Sequence, residues 1–219
     1  VLARPDLGLW AVADGMGGHA AGDVASALVV EGLAAGAPGL PLAERSEAAR
    51  RRLEDVNARL MAMGKNGPEG KTIGSTVVTL LLDQDAFACL WVGDSRIYRA
   101  RGGVLEQITR DHSLVQRLID LGEISAAEAR DHPNANVITR AVGSADLLEV
   151  DEVKGEGLPS DAFLLASDGL TRLAHDREML AALEAPSLEA AADGLLDLCL
   201  QRGAPDNVSF VMVRAAQQA

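Results

Sequence analysis

Two kinds of apolar patterning alternate along the chain. Between residues 46 and 63, Ala49, Leu53, Val56, Leu60 and Met63 recur at steps of four, three, four and three. That spacing puts them on one face of a helix and leaves Arg50, Arg51, Glu54 and Asp55 on the others. Residues 23–35, rich in alanine, valine and leucine, predict a mostly buried helix just before it. The runs "STVVTLLLD" (75–83), "AFACLWVGD" (86–94) and "RIYRARGG" (96–103) read instead as strands separated only by turn residues such as "DQD" and "GDS". Connections that short predict antiparallel neighbours. The first two runs are apolar at nearly every position, so both faces need cover, one from a second sheet and one from helices.

The remaining elements complete this picture. Residues 7–13 form a short apolar strand with Trp10, ending at Asp14, and "GKNGPEGKT" (64–72) breaks the chain. Residues 113–136 hold two short helical pieces joined at Gly122 and closed by a proline and asparagine cluster, an excursion from the core. Strands resume at 147–153 and 162–166. "SLEAAADGLLDLCLQRG" (187–203) predicts a helix with Ser187 as N-cap and Gly203 as stop, and "NVSFVMVRA" (207–215) a final strand. The expected fold is α+β, a central antiparallel β-sandwich flanked by α-helices, and no repeat or linker divides residues 1–219.

Charge narrows the partners. Twenty lysines and arginines against 32 acidic residues leave a net charge of −12, which opposes attraction to nucleic acid or an anionic membrane and suits divalent cations. No apolar run approaches the ~20 residues that span a bilayer. Cys89 and Cys199 lie in apolar segments without metal-type spacing and read as buried thiols of a reducing, cytoplasmic protein.

The stretch "LWAVADGMGGHAAGDVAS" (9–26) raises the question of chemistry, because Gly15, Gly17 and Ala20 fit a dinucleotide-binding spacing. That fold needs a second parallel strand after the helix, whereas here helix follows helix, and Asp14 would face the pyrophosphate. A different pattern is more informative. Asp14, Asp94 and Asp168 each follow an apolar strand, and Asp206 precedes one. Carboxylates converging at one edge of a sandwich repel one another, and a cation relieves that repulsion. Oxygen ligands without a cysteine or histidine cluster favour hard ions such as Mg²⁺ or Mn²⁺. From the residues alone, ordinary turn aspartates remain the alternative. Asp94 with Ser95 reads as a turn carboxylate bonded to local backbone, Asp23 as a helix N-terminal charge, and Ser75 and Thr76 as packing and turn residues. His112, His132 and His175 show no metal spacing, and Lys71, Arg96 and Arg140 read as solvated cations.

Seven motifs, in order and covering nearly the whole chain, resemble the metal-dependent serine/threonine protein phosphatases of type 2C (the PPM family) in their bacterial form. They are "VADGMGGHAAGDVAS" (12–26), "GSTVV" (74–78), "WVGDSRIY" (91–98), "TRDHSLVQRLIDLGEI" (109–124), "NVITRAVG" (136–143), "LLASDGL" (164–170) and "PDNVSFVMV" (205–213). The resemblance implies a four-layer αββα domain with residues 113–136 as a flap beside the active site. It implies that Asp14 and the Gly15 carbonyl bridge two ions of Mn²⁺ or Mg²⁺, that Asp168 and Asp206 complete the second, and that Asp111 holds a third, weaker ion. Hydrolysis of phosphoserine and phosphothreonine on proteins, by a water bridging the two ions, follows from the same likeness. His19 is then the candidate donor of a proton to the departing oxygen, although some relatives carry that histidine directly after the glycine, where Met16 stands here. The expected partners are phosphorylated proteins, products of a serine/threonine kinase, met by a monomer that contacts neither membrane nor nucleic acid.

The family also opens with a strand bearing a phosphate-binding arginine and an acidic metal-binding run, and the sequence starts after that point. Arg4 and Asp6 do not match that motif and are expected in the turn ahead of the first strand. A phosphatase-like regulatory or binding module with impaired turnover therefore stands beside the enzyme reading. A third reading is another two-metal phosphoesterase acting on nucleotides or nucleic acid, and the charge of −12 counts against nucleic acid but not against small phosphate esters.

Overall fold

The computed structural model describes residues 1–66 and 73–215, so Lys71 and most of the 64–72 break lie outside the described residues. Strand β1 (Leu2–Arg4), a 3₁₀ turn and β2 (Leu9–Val12) form a hairpin, followed by the two-residue β3 (Gly15–Met16) and helices α1 (His19–Ala34) and α2 (Leu42–Asn66). Then come β4 (Gly74–Ser75), β5 (Val77–Leu82), β6 (Ala86–Val92), β7 (Arg96–Arg101), β8 (Val104–Gln107) and the short helices α3 (Leu114–Asp120) and α4 (Ala126–Arg130). The last part runs through β9 (Asp151–Glu156), β10 (Ala162–Ala166), α5 (Asp168–Thr171), α6 (Asp176–Glu184), α7 (Leu188–Gln201) and β11 (Phe210–Arg214).

The strands make a five-stranded sheet in the order β1-β2-β5-β6-β9 and a four-stranded sheet in the order β11-β10-β7-β8, with every pair antiparallel. Three apolar layers show how they stack. Leu33 of α1 and Leu53 and Leu60 of α2 pack on Leu81 and Leu90 of the larger sheet. Phe163 and Leu165 of β10 meet Leu80, Phe87 and Trp91 between the sheets. Leu164 and Ala166, on the other face of β10, meet Met179, Leu183, Leu195 and Cys199 of α6 and α7. The order is helices, sheet, sheet, helices, as expected, and the period-2 alternation of β10 shows why a buried strand reads as an unbroken apolar run. Both cysteines are buried free thiols.

Several expectations need correction. β6 and β7 are not antiparallel neighbours: "GDS" is a crossing from one sheet to the other, and β7 pairs with β10 and β8 instead. Gly93 makes this possible at φ 110°, where a Cβ would fall 2.7 Å from the Thr76 side chain. Met63 is exposed although Ala49, Leu53, Val56 and Leu60 are buried. At 25 residues α2 is about 38 Å long and outruns the sheet beneath it. The strand expected from residue 147 begins at Asp151, and Arg4 ends β1, where it bonds Asp6 at 2.9 and 2.7 Å. β8 and α6 were not anticipated. Ser187 caps α7 as expected, its side chain accepting from the Ala190 N–H at 3.2 Å.

Candidate active site

Strand directions bring the marked aspartates to one edge of the sandwich. β2 and β6 both run antiparallel to β5, so their C-terminal ends, followed by Asp14 and Asp94, lie on the same side. The Gly93–Ser95 crossing carries that side over to the start of β7. β7 is antiparallel to β10 and β8, and β10 to β11, so Asp168 after β10, Asp206 ahead of β11 and Asp111 beyond β8 share it.

Asp14 is held through its backbone. Its N–H donates to Thr76 Oγ1 at 3.2 Å, and its carbonyl accepts from the Thr76 N–H at 2.8 Å and the Ser75 hydroxyl at 3.0 Å. Thr76 Oγ1 lies 2.8 Å from Ser95 Oγ, which ties this cradle to the crossing loop. Gly15 pairs with Ser75, and a Cβ on it would fall 1.9 Å from the Gly22 carbonyl oxygen, so only glycine lets α1 approach. The backbone turns through Gly17 and Gly18 at φ 113° and 90°, and His19 is the first residue of α1.

Asp168 opens α5 with its Oδ2 2.8 Å from Arg172 Nη2, while its Oδ1 is buried without a hydrogen-bond partner. Asp206 is exposed, its Oδ1 accepting from the Asn207 N–H at 2.7 Å. The two segments are laced together by Ser167 N–H to the Ser209 carbonyl at 2.9 Å and Ser209 N–H to Ser167 Oγ at 3.1 Å. Asp111 is buried and gripped by Arg96 Nε at 2.9 and 3.0 Å and Nη2 at 2.7 Å, with Gln107 Nε2 at 3.2 Å.

The electrostatics record the crowding. Burial, reinforced by the charges of Asp168 and Asp206, pushes the Asp14 carboxyl up to about 6. Burial with Asp168 and Asp111 nearby pushes Asp94 up to about 7. Arg172 opposes both shifts. Buried carboxyls crowded by other carboxylates keep their protons to higher pH. The partnerless Asp168 Oδ1 and this surplus of oxygen donors fit a hard divalent cation. Among the described residues, no three His, Cys, Asp or Glu side chains are already drawn together tightly enough to enclose an ion.

A cleft of about 610 Å³ opens beside this edge, lined by Asp94, Asp111, Asp168 and Arg172 on the body and by Gln116 and Arg130 of α3 and α4. The root of this helical excursion is tied down by Leu114 N–H to the Val137 carbonyl at 2.8 Å and Thr139 N–H to the His112 carbonyl at 2.7 Å. His112 is a buried, hydrogen-bonded histidine. Its Nδ1 accepts from the Gly93 N–H at 3.1 Å, its Nε2 lies 3.3 Å from Asp151, its ring stacks on Trp91, and burial lowers its pKa. Arg96 and Arg140, expected as solvated cations, are both engaged, Arg96 by Asp111 and Arg140 by Glu149 at 3.2 Å and Asp151 at 3.0 Å. Asp94 and Arg172 line the cleft, although sequence reasoning read Asp94 as a turn carboxylate and did not single out Arg172, while Ser75 and Thr76 hold the Asp14 backbone. Only the position of Asp94, at the end of an apolar strand like Asp14 and Asp168, was a signal.

Known proteins share the sequence pattern and the fold. Residues 4–198 match the protein phosphatase 2C family model. The serine/threonine protein phosphatase PstP of Mycobacterium tuberculosis is 39% identical over 207 residues, and the match spans 93% of this chain but only 40% of that protein. The serine/threonine phosphatase Stp of Listeria monocytogenes is 37% identical over 92% of this chain and 82% of its own length. Among solved structures, PppA of Pseudomonas aeruginosa superposes with a TM-score of 0.89 at 45% identity, covering 98% of this chain and 88% of that one. The catalytic domain of PstP in complex with two manganese ions superposes at 0.81 with 36% identity, covering 95% and 88%. With matched pattern, shared fold and aspartates on one sandwich edge, the chain belongs to the protein phosphatase 2C family.

Proposed function

We propose that this chain hydrolyses phosphoserine and phosphothreonine on proteins, reversing serine/threonine kinase signalling, as one domain spanning residues 1–219. The carrying observation is that Asp168 and Asp206 lie close enough to Asp14 for their charges to act on it, while Asp168 lines the cleft and keeps a buried carboxylate oxygen without a partner. Asp14, the Gly15 carbonyl, Asp168 and Asp206 would hold two ions of Mn²⁺ or Mg²⁺, and Asp111 a third, weaker one. A structure of the related PstP catalytic domain contains two manganese ions, which supports the choice. Bound divalent ions supply Lewis acidity toward water and the phosphoryl oxygens.

This chain's own residues supply the rest. The hydroxyls of Ser75 and Thr76 fix the backbone from which Asp14 projects, and Ser95 braces Thr76. His19, at the start of α1, is proposed to give a proton to the departing serine or threonine oxygen. The cleft under α3 and α4 is the proposed seat of the phosphorylated segment. A net charge of −12 disfavours nucleic acid as substrate, and no described helix is long and apolar enough to cross a membrane. A monomer working in the cytoplasm completes the proposal.

The test is hydrolysis of a phosphothreonine peptide with and without Mn²⁺, compared with Asp168→Asn. Turnover is expected only with Mn²⁺, lost on chelation, and reduced in the variant by more than the ~10–100-fold that removal of an outer-shell partner costs. Metal-independent turnover, or an unaffected variant, would defeat the reading.

A further inference from the structure

Arg172 occupies an unusual place among the cations of the cleft. Arg96 is committed to Asp111 through three contacts and to the Tyr98 hydroxyl at 3.1 Å. Arg130 lies out on α4, its Nη1 3.4 Å from His175 Nδ1. Among the described residues, Arg172 has one carboxylate partner, Asp168, which its Nη2 meets at 2.8 Å one helical turn back. The pair is asymmetric: Arg172 engages Oδ2, while Oδ1 is buried and without a partner. The Arg172 side chain is 37% exposed, lines the cleft with Asp94, Asp111 and Asp168, and lies close enough to Asp14 and Asp94 for its charge to act on both.

A divalent cation at the partnerless Oδ1 would repel the guanidinium across the carboxylate and draw the Asp168 charge toward itself. The hold of Asp168 on Arg172 at the wall of the cleft would then weaken. A guanidinium released there presents a planar fork of N–H donors matched to phosphoryl oxygens. We infer that Arg172 is a substrate-phosphate-binding residue, exchanging the Asp168 carboxylate for the phosphoryl oxygens of the substrate. In the metal-free chain the same contact parks Arg172 on Asp168 and makes it a competitor for the cation. The inference rests on the proposed function in assuming that Asp168 takes a metal ion, and it adds the residue that grips the substrate's phosphate.

Calorimetric titrations test it independently of turnover. Inorganic phosphate titrated into the Mg²⁺-loaded protein should bind about tenfold more weakly to Arg172→Ala than to the unaltered chain, with Arg172→Lys between them. Mn²⁺ titrated into the metal-free protein should bind Arg172→Ala at least as tightly as the unaltered chain, because a competitor has been removed. With a phosphothreonine peptide, the Ala variant should show a raised KM and a lowered kcat/KM. Equal phosphate affinity in the two proteins, or weaker Mn²⁺ binding by Arg172→Ala, would overturn the inference and leave Arg172 as a prop for Asp168. Should Arg172→Ala unfold, Arg172→Lys decides, since it keeps the charge but loses the fork, and unchanged phosphate affinity there overturns the inference. If the unaltered protein binds phosphate yet releases none from the peptide, the proposed function fails while the titrations still decide Arg172.

Discussion

At Gly169 a methyl group would fall 2.1 Å from the carbonyl oxygen of Asn207. That contact joins the residue after Asp168 to the residue after Asp206, so it sets how closely two of the candidate ligands approach. Gly169→Ala must push the segments apart, because the atom it meets is backbone and cannot swing away. Mn²⁺ affinity, measured by calorimetry, is expected to fall about 10–100-fold, and undiminished affinity would show that the spacing does not depend on this contact. Legibility varies residue by residue at this scale. Asp14, Asp168 and Asp206 were readable as aspartates that punctuate strand ends, because each lies in a distinctive motif there. Asp94 lies in an equally distinctive motif and still read as a turn residue, because its burial and its closeness to Asp111 and Asp168 follow from a sheet crossing that no local pattern announces. Arg172 was invisible for the same reason, since its significance is the company it keeps.

Helix α6 shows a chain-distant device within one element. Glu178 accepts from the His175 N–H at 2.8 Å at the start of the helix and from Arg202, beyond the end of α7, at 2.8 and 2.7 Å. The Arg202 bonds, with help from that backbone N–H, hold its carboxyl well below the usual range, at about 2. A lowered folded-state value means that the stabilisation is present above the unfolded value of 4.5 and is lost as pH falls toward about 2. Glu178→Gln should therefore unfold at lower temperature than the unaltered protein near neutral pH. The gap should close between pH 4.5 and 2, and a constant gap in thermal melts would rule out the ion pair as its source. Helices α2 and α7 were legible because a 3.6-residue period and a serine cap are local signals. α6 and the short, polar β8 were not, since each is held by what it packs against.

Across the whole molecule, two sheets shared between three apolar layers make each layer depend on the next. Phe163 sits in the middle layer, fully buried, with its ring 5.3 Å from that of Phe87 in the opposing sheet. Phe163→Ala is expected to cost about 3–5 kcal/mol in denaturant unfolding, and a single cooperative transition is expected in both proteins. Separate transitions for the two sheets would contradict the one-domain reading. The sequence by itself determined the α+β class, the helical faces, the strands buried on both sides and the aspartates that punctuate them, because periodicity and turn chemistry act between near neighbours. Only the tertiary structure decided that "GDS" crosses between sheets, that β7 pairs with β10, and that Asp14, Asp94, Asp111, Asp168 and Asp206 share one edge. Pairing between distant strands is set by which apolar faces can be buried together, and the direction of each paired strand then dictates where its end residues meet.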